Sequence, residues 1–365
     1  MTPFDLRSLL RPELAELQPY LPHAGSYEVR LDANEAPPLL SPDGIERLTR
    51  AAAATSWHRY PDATQGELRR AIAQRCGARP EEVLVGVGSD ELITLLLTVL
   101  TRPKASAEEA VVLTATPTFV MYRSSARARG LRVAEVPLDA DWDLDETASL
   151  RALEVADPNV VFLASPNNPT GTMITEARLV RFIEAARRSL VVVDEAYVDY
   201  ADRDQLALLR KYDNVAILRT LSKVGFAALR VGWLLGSPDL VAELDKARLP
   251  YNIPSPCQHL ATLALTELSG EIDATCRAVT AERRRLEEAV ATLPGIRLAN
   301  SQANFLWLET DRGAAELWNA LRQRGILVRS FHARGGRLAR CLRVTIGTPE
   351  ENDAFLTALR ETLER

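Results

Sequence analysis

One lysine stands out because it lies between two apolar segments. Lys223 belongs to the stretch T-L-S-K-V-G at residues 220–225, with apolar runs at 215–218 and 231–235 on either side. Such runs predict buried strands, so Lys223 is expected at a strand end. An amine in that setting can form a Schiff base with a carbonyl compound. The alternative is a strand-end lysine that reaches solvent, which is the ordinary explanation for an isolated Ser-Lys pair.

Polar residues follow two other apolar segments in the same way. S-P-N-N-P-T-G at 165–171 follows the run 160–164, and D-E-A-Y at 194–197 follows the run 190–193. Because ligands of open α/β sheets collect beyond the carboxyl ends of the strands, we expect both groups to lie near Lys223. Taken singly, the first group is also a turn signal and the second a strand end that caps a helix. Their order along the chain favours a shared site.

A further candidate site lies where a predicted strand turns into a helix. The segment 83–87 is followed by Gly88-Ser89-Asp90-Glu91 and then by an apolar helix. Gly86 and Gly88 suggest a dinucleotide-binding turn, but Glu91 occupies the third glycine position of that motif. A helix N-terminus whose free N–H groups hold a phosphate is the better interpretation. A helix cap without a ligand is the alternative.

The elements that must position these residues alternate along the chain. Strands are predicted at 111–114, 160–164, 190–193, 215–218 and 231–235, and helices around 119–129, 176–188 and 203–212. This alternation predicts an α/β fold with a mostly parallel sheet. Past residue 256 the pattern changes to a long helix at 274–293, strands at 304–308, 326–329 and 342–346, and helices at 314–324 and 350–364. The predicted organisation is an N-terminal arm (1–33), a large α/β domain (34–250) and a smaller α+β domain (251–365).

Composition excludes several classes of function. The 365-residue chain has a net charge of −5 and a pI near 5.6, which argues against a general nucleic-acid binder. Its four cysteines are scattered and its four histidines lack metal-ligand spacing. This pattern favours reduced thiols and no metal site. We find neither an apolar signal core nor a run of 18 apolar residues, so we expect a cytoplasmic protein without a membrane span.

These motifs in this order resemble the fold-type I, class II pyridoxal-phosphate-dependent aminotransferases, and most closely the histidinol-phosphate aminotransferase family. The resemblance covers nearly the whole chain. It implies pyridoxal 5'-phosphate as cofactor, a homodimer, and transfer of an amino group from histidinol phosphate to 2-oxoglutarate. The matching motifs are P-Y-L-P at 19–22, L-D-A-N-E-A-P at 31–37, R-Y-P-D at 59–62, G-S-D-E at 88–91, T-P-T-F-V-M-Y at 116–122, S-P-N-N-P-T-G at 165–171, D-E-A-Y-V-D-Y at 194–200, T-L-S-K at 220–223 and C-L-R-V-T-I-G-T-P-E-E-N at 341–352.

The resemblance also implies a role for each residue that could take part in catalysis. Lys223 would carry the cofactor as a Schiff base and then act as the base that moves the substrate proton. Asp194 would pair with the pyridine nitrogen and keep it protonated. Asn168 and Tyr197 would both bond the phenolic oxygen of the cofactor.

The remaining cofactor contacts follow from the same resemblance. Phe119 would stack on the cofactor ring, in a position where a tyrosine is usual. Tyr60 would reach the phosphate of the neighbouring subunit, which would make the site a product of dimerisation. Lys223 and Arg230 are one position closer than in the commoner family pattern. The cofactor phosphate would be held by Arg230, Ser222, Thr220 and the amides of Ser89 and Asp90.

Two arginines of the small domain are the predicted substrate anchors. The resemblance implies that Arg343 and Arg329 clamp the phosphate of histidinol phosphate. Arginine pairs suit oxyanions because their planar guanidinium groups donate in parallel. Tyr20 and Asn34 also match substrate-facing positions. For Arg329, an ion pair between the domains is the alternative.

Other activities stay open at this level. The same arginines could take a carboxylate, as in an aromatic or broad-range amino-acid aminotransferase. A threonine-phosphate decarboxylase is a further candidate, although Tyr197 in D-E-A-Y-V-D-Y argues against it. A regulator built on the same fold would need an added DNA-binding segment, for which this chain has no room.

Overall fold

The computed structural model describes residues 4–19, 25–38, 40–104 and 108–364. Within these ranges twelve strands form two sheets. The strands are β1 (Val29–Leu31), β2 (Val83–Val87), β3 (Val111–Thr116), β4 (Arg132–Pro137), β5 (Val160–Ala164), β6 (Leu190–Asp194), β7 (Val215–Thr220), β8 (Val231–Leu235), β9 (Ile296–Leu298), β10 (Phe305–Thr310), β11 (Ile326–Ser330) and β12 (Cys341–Thr345).

Twelve α-helices accompany these strands in the same described ranges. They are α1 (Pro42–Ala53), α2 (Gly66–Cys76), α3 (Gly88–Val99), α4 (Val120–Arg127), α5 (Glu146–Ala156), α6 (Glu176–Ala185), α7 (Leu208–Lys211), α8 (Pro238–Asp245), α9 (Ser255–Leu265), α10 (Ser269–Ala291), α11 (Ala314–Gln323) and α12 (Pro349–Leu363).

The large sheet has seven strands in the order β2-β8-β7-β6-β5-β3-β4. All neighbouring pairs are parallel except β2–β8 and β7–β8, so only β8 runs against the others. Along β6, Val191 and Val193 pack into one core layer and Val192 into the other. This period of two, with both faces buried, is typical of a sheet covered by helices on both sides. The predicted α/β domain with a mostly parallel sheet is confirmed.

The small sheet has five strands in the order β1-β11-β12-β10-β9, and only β1–β11 is parallel. The predicted smaller α+β unit is confirmed. The N-terminal strand β1 lies in this C-terminal sheet, although it belongs to the predicted arm. The division at residues 33 and 250 stays a prediction.

Local patterns missed several elements. The edge strand β4 is half-exposed and carries charged residues, so it shows no clear apolar run. The helix α9 was not predicted, because prolines at 250, 254 and 256 interrupt the helical pattern at its start, and it packs against α1 and α2. Helix α7 spans only Leu208–Lys211, because the preceding Asp204 side chain accepts a bond from the Leu206 amide and favours a turn.

Candidate active site

One cavity lies at the carboxyl ends of the parallel strands β5, β6 and β7 and extends to the small domain. It brings together thirteen of the predicted site residues, from segments that are far apart in the chain. They are Asn34, Ser89, Asp90, Phe119, Asn168, Asp194, Tyr197, Thr220, Ser222, Lys223, Arg230, Arg329 and Arg343.

Lys223 ends a short 3-10 turn that follows strand β7. The Thr220 hydroxyl caps this turn by accepting a hydrogen bond from the Ser222 amide at 3.0 Å. The Tyr200 hydroxyl donates to the Lys223 carbonyl at 2.5 Å and holds the turn from the other side. The Nζ atom of Lys223 lies 5.7 Å from the centre of the Tyr197 ring. It forms no hydrogen bond or direct ion pair in the described part of the chain, although its charge lowers the pKa of Asp194, so its amine is available to a ligand in the cavity.

Asp194 is the last residue of β6 and is only 4% exposed. Its Oδ2 accepts a hydrogen bond from the Tyr122 hydroxyl at 2.5 Å, and its Oδ1 accepts one from the Ala196 amide at 3.0 Å. Burial raises the pKa of Asp194 above its ordinary value, while these two hydrogen bonds act in the opposite direction. Within the described residues it forms no ion pair. The site therefore contains a buried carboxyl group without a direct ion pair, and the charge of the nearby Lys223 acts to lower its pKa.

Asn168 and Tyr197 are each held by a residue of another segment. Arg343 Nη1 donates to Asn168 Oδ1 at 2.5 Å, so the amide nitrogen of Asn168 remains for donation into the cavity. Asn34 Nδ2 donates to the Tyr197 hydroxyl oxygen at 2.9 Å, which leaves the phenolic proton for another acceptor. Asn34 itself is buried and has a left-handed backbone with φ 57°, fixed by bonds to Thr345 and Asn304. Both side chains thus present a donor to the cavity.

An anion site lies where α3 begins at Gly88. No side chain caps this helix N-terminus, so its first amides, including those of Ser89 and Asp90, are available to a phosphate. Strand β8 passes so close that a Cβ atom on Gly232 would lie 2.6 Å from the Ser89 nitrogen. Only glycine fits at that position.

Arg230 completes this anion site despite its shortened distance from Lys223 in the sequence. It has a left-handed backbone with φ 52° directly before β8, which turns its side chain toward Gly88. Its guanidinium lies 3.3 Å from the Ser222 hydroxyl oxygen and 3.2 Å from a carboxylate oxygen of Asp90. The loop therefore absorbs the missing residue and Arg230 lines the cavity, while its contact with a cofactor phosphate stays a prediction.

The two predicted substrate arginines face each other on neighbouring strands. Arg329 of β11 and Arg343 of β12 are directly paired in the antiparallel register. Arg343 is 8% exposed, and its Nη2 donates to the Asp32 carbonyl at 2.7 Å. The alternative for Arg329 was an ion pair between the domains, but Arg329 forms none with any described residue. Two guanidinium groups thus line the same cavity, opposite the large domain.

Two predicted residues are not brought into this cavity. Tyr60 is 80% exposed and stacks on Tyr251, with ring centroids 4.7 Å apart. It does not line the cavity of its own chain, and a role toward a neighbouring subunit stays a prediction. Tyr20 lies outside the described residues.

Sequence reasoning missed further cavity residues. Tyr122 was part of the motif T-P-T-F-V-M-Y but was given no role, although it is fully buried and bonds Asp194. Its ring stacks on Phe162, and Phe119 meets its edge. Arg334, in a short segment with no regular pattern, also lines the cavity. For Tyr122 the only signal in the sequence was a tyrosine on the apolar face of α4. For Arg334 the sequence contained no signal.

The described residues contain no group of three or more histidine, cysteine or acidic side chains that could hold a metal ion. The four cysteines are free thiols. None of the described helices combines the length and apolar character that crossing a membrane requires.

Comparison with known proteins places this architecture among enzymes. The family model described as aminotransferase class I and II matches residues 26–359. The histidinol-phosphate aminotransferase 2 of Nitrosococcus oceani is 40% identical over 363 residues, which covers 99% of both chains. The histidinol-phosphate aminotransferase 1 of Carboxydothermus hydrogenoformans is 38% identical and covers 96% of this chain and 97% of its own.

Solved structures show the same likeness. The histidinol-phosphate aminotransferase of Sinorhizobium meliloti, in complex with pyridoxal-5'-phosphate, matches with a TM-score of 0.85 at 25% identity and covers 100% of this chain and 99% of its own. The L-threonine-O-3-phosphate decarboxylase of Porphyromonas gingivalis matches with a TM-score of 0.75 at 20% identity, covering 92% of this chain and 100% of its own. The second likeness shows the fold alone.

Proposed function

The chain belongs to the class I and II aminotransferases, and from this premise we propose that it is a pyridoxal-phosphate-dependent histidinol-phosphate aminotransferase. It transfers the amino group of L-histidinol phosphate to 2-oxoglutarate. The family resemblance found in the sequence is confirmed. The observation that carries the substrate assignment is the facing pair Arg329 and Arg343, which lines the same cavity as Lys223.

The residues of the cavity fit the cofactor. The buried carboxyl group of Asp194 forms no direct ion pair with a described residue, and a protonated ring nitrogen would supply one. The uncapped start of α3, with Ser222 and Arg230, suits the phosphate. Thr220 holds the Lys223 turn, and Phe119 offers a ring face to the cofactor ring. When bound, pyridoxal phosphate supplies the electron sink that stabilises negative charge at the substrate Cα.

Each catalytic side chain then has a defined task. Lys223 Nζ would hold the cofactor and would move the proton at the substrate Cα. Asp194 would keep the ring nitrogen protonated, and Tyr122 orients Asp194 through the 2.5 Å hydrogen bond. Asn168 and Tyr197 would donate to the phenolic oxygen of the cofactor, because Arg343 and Asn34 occupy their acceptor atoms.

Charge at the substrate end favours a phosphate. Histidinol phosphate has no carboxylate, and its phosphate carries a charge of about −1.5 to −2 near neutral pH. A single guanidinium would leave much of that charge unpaired in a partly desolvated cavity. Arg329 and Arg343 together match it, and the carboxylates of 2-oxoglutarate take the same groups in the second half-reaction.

A donor screen with 2-oxoglutarate as acceptor tests this assignment. We expect histidinol phosphate to give a kcat/KM about a hundredfold higher than phenylalanine or tyrosine, since each charge-assisted bond to phosphate contributes roughly one to two factors of ten. Threonine phosphate carries the same phosphate group and is included to detect decarboxylation. Glutamate formation is the measurement. A preference for phenylalanine or tyrosine would replace the assignment by an aromatic aminotransferase, and release of carbon dioxide from threonine phosphate would replace it by a decarboxylase.

We also propose that the active unit is a homodimer. Large side chains are exposed on one protomer at Trp57, Tyr60, Leu249 and Tyr251, and the stacked Tyr60–Tyr251 pair joins two of these segments. Exposed apolar side chains clustered in this way favour a protein interface. A second copy of the chain on this surface would bring Tyr60 to a neighbouring cofactor phosphate. A cytoplasmic location agrees with the free thiols and stays a prediction.

Mixing two inactive variants tests whether the site is shared. In a heterodimer, one chain carries Lys223→Ala and the other carries Tyr60→Ala. If Tyr60 serves the partner's site, both substitutions fall in the same site and the other site is intact. Random mixing should therefore restore roughly a quarter of the wild-type activity. Native mass spectrometry verifies heterodimer formation. If proven heterodimers only average the activities of the two parent variants, the sites are not shared.

A further inference from the structure

A third guanidinium group reaches the cavity from the segment that joins β11 to β12. Arg334 ends the short 3-10 turn His332–Arg334 and lines the cavity together with Arg329, Arg343 and Lys223. The substrate end therefore carries three arginines, and only Arg329 and Arg343 have a role so far.

The segment around Arg334 is fastened at both ends. On one side the Phe331 ring packs edge-on against Trp307 at 5.0 Å, and the Ser330 hydroxyl bonds His332 Nδ1 at 2.8 Å. On the other side the Arg337 guanidinium lies 3.7 Å from the centre of the Trp142 ring. These contacts fix the two ends of the segment at the cavity rim, on either side of Arg334.

The backbone next to Arg334 keeps freedom to adjust. Gly335 and Gly336 both have positive φ, at 70° and 54°, and a Cβ atom on either would meet nothing within 4 Å. Two glycines in open space between two fastened points let the Arg334 side chain follow a ligand.

Arg334 differs from the other arginines of its segment in lacking a partner. Arg337 pairs with Glu309, and Arg340 pairs with Asp311. The Arg334 side chain forms no hydrogen bond, ion pair or ring contact within the described residues. An unpaired guanidinium on the rim of a cavity that already holds Arg329 and Arg343 attracts an anion rather than stabilising the fold.

We propose that Arg334 determines donor specificity by contacting the phosphate from the solvent side, where it completes the anion site begun by Arg329 and Arg343. This inference rests on the proposed function and deepens it. A phosphate monoester presents three acceptor oxygens, so two inner guanidinium groups leave acceptor positions for a third from the rim.

The test compares Arg334→Ala with the matched control Arg340→Ala, whose side chain pairs with Asp311 outside the cavity. We expect Arg334→Ala to lower the ratio of kcat/KM for histidinol phosphate to that for histidinol by about tenfold, while Arg340→Ala leaves it unchanged. Arg334→Lys should restore part of the ratio, because it returns the charge without the fork. Equilibrium titration of the holoenzyme with histidinol phosphate should show the same order of affinities.

An unchanged ratio in Arg334→Ala, or an equal loss for both substrates, would overturn the inference. If the wild-type enzyme did not use histidinol phosphate, the proposed function would fail instead. Inorganic phosphate as a competitive inhibitor against the best donor then tests Arg334 separately. Its inhibition constant should rise about tenfold in Arg334→Ala and stay unchanged in Arg340→Ala, and equal constants would refute the role of Arg334.

Discussion

Replacing Lys223 by alanine is expected to lower the transamination rate by about four orders of magnitude, because it removes the base that moves the substrate proton. The same change removes the only amine that lines the cavity among the described residues. The free energy of unfolding should change little, since the Nζ atom forms no hydrogen bond or direct ion pair with the described residues. Steady-state kinetics and thermal unfolding measure the two effects.

Chemical labelling identifies the cofactor lysine without relying on activity. The chain has four lysines, namely Lys104, Lys211, Lys223 and Lys246. After borohydride reduction of the holoenzyme, peptide mapping should find the pyridoxyl label on Lys223 alone. Lys246→Ala is the matched control, because Lys246 is exposed on the surface and pairs with Glu243. A label on any other lysine would overturn the assignment.

Replacing Asp194 by asparagine is expected to lower kcat about a thousandfold, because it removes one partner of a buried charge pair with the ring nitrogen. KM should change far less, since the substrate contacts lie on the small domain. Single-turnover measurement of the loss of the substrate Cα proton separates the effect on the chemical step from the effect on substrate binding. A near-normal rate would mean that the carboxyl group has a structural role only.

In the absence of the cofactor, Asp194→Asn should make the protein more stable near neutral pH, although it lowers the activity of the holoenzyme. Burial raises the pKa of Asp194 above 3.8, so between 3.8 and that raised value the unfolded chain has lost a proton that the folded chain keeps. Stability of the cofactor-free wild type therefore falls as pH rises through this window, and Asp194→Asn should not show this fall. Thermal unfolding from pH 4 to 7 measures it.

Adding the cofactor should reverse this difference in stability between the wild type and Asp194→Asn. A protonated ring nitrogen would give Asp194 a direct ion pair, so pyridoxal phosphate should raise the Tm of the wild type more than that of Asp194→Asn. Pyridoxal, which lacks the phosphate, serves as a control for the helix N-terminus. Equal increases in both proteins would contradict a charge pair between Asp194 and the cofactor.

The sequence by itself determined the strand ends and the chemistry that they carry. The runs before Asn168, Asp194 and Lys223 are apolar because parallel strands are buried on both faces, and polar residues directly after such runs must lie at one edge of the sheet. The start of α3 could be predicted for the same local reason. These features depend on neighbours in the chain, and a periodic pattern therefore reveals them.

Contacts between distant segments were decided only by the tertiary structure. Asn34 meets Tyr197 across 163 residues, and Arg343 meets Asn168 across 175. The first contact requires that β1, from the N-terminus, joins the C-terminal sheet beside β11, and the second requires that β12 approaches the loop after β5. No local pattern carries that information, because the free energy that favours the pairing comes from packing whole elements together.

Tyr122 and Arg334 show most clearly that the role of a residue depends on contacts made only in the folded protein. Tyr122 looked like one more apolar residue of an amphipathic helix, and its role depends on the approach of its hydroxyl to Asp194. Arg334 lies in a segment without any period, and its position depends on the contacts that fasten Phe331 and Arg337 to the two tryptophans. The residue types were readable from the chain, whereas the atoms that they face were set by packing, because side chains from unrelated segments meet only in the folded protein.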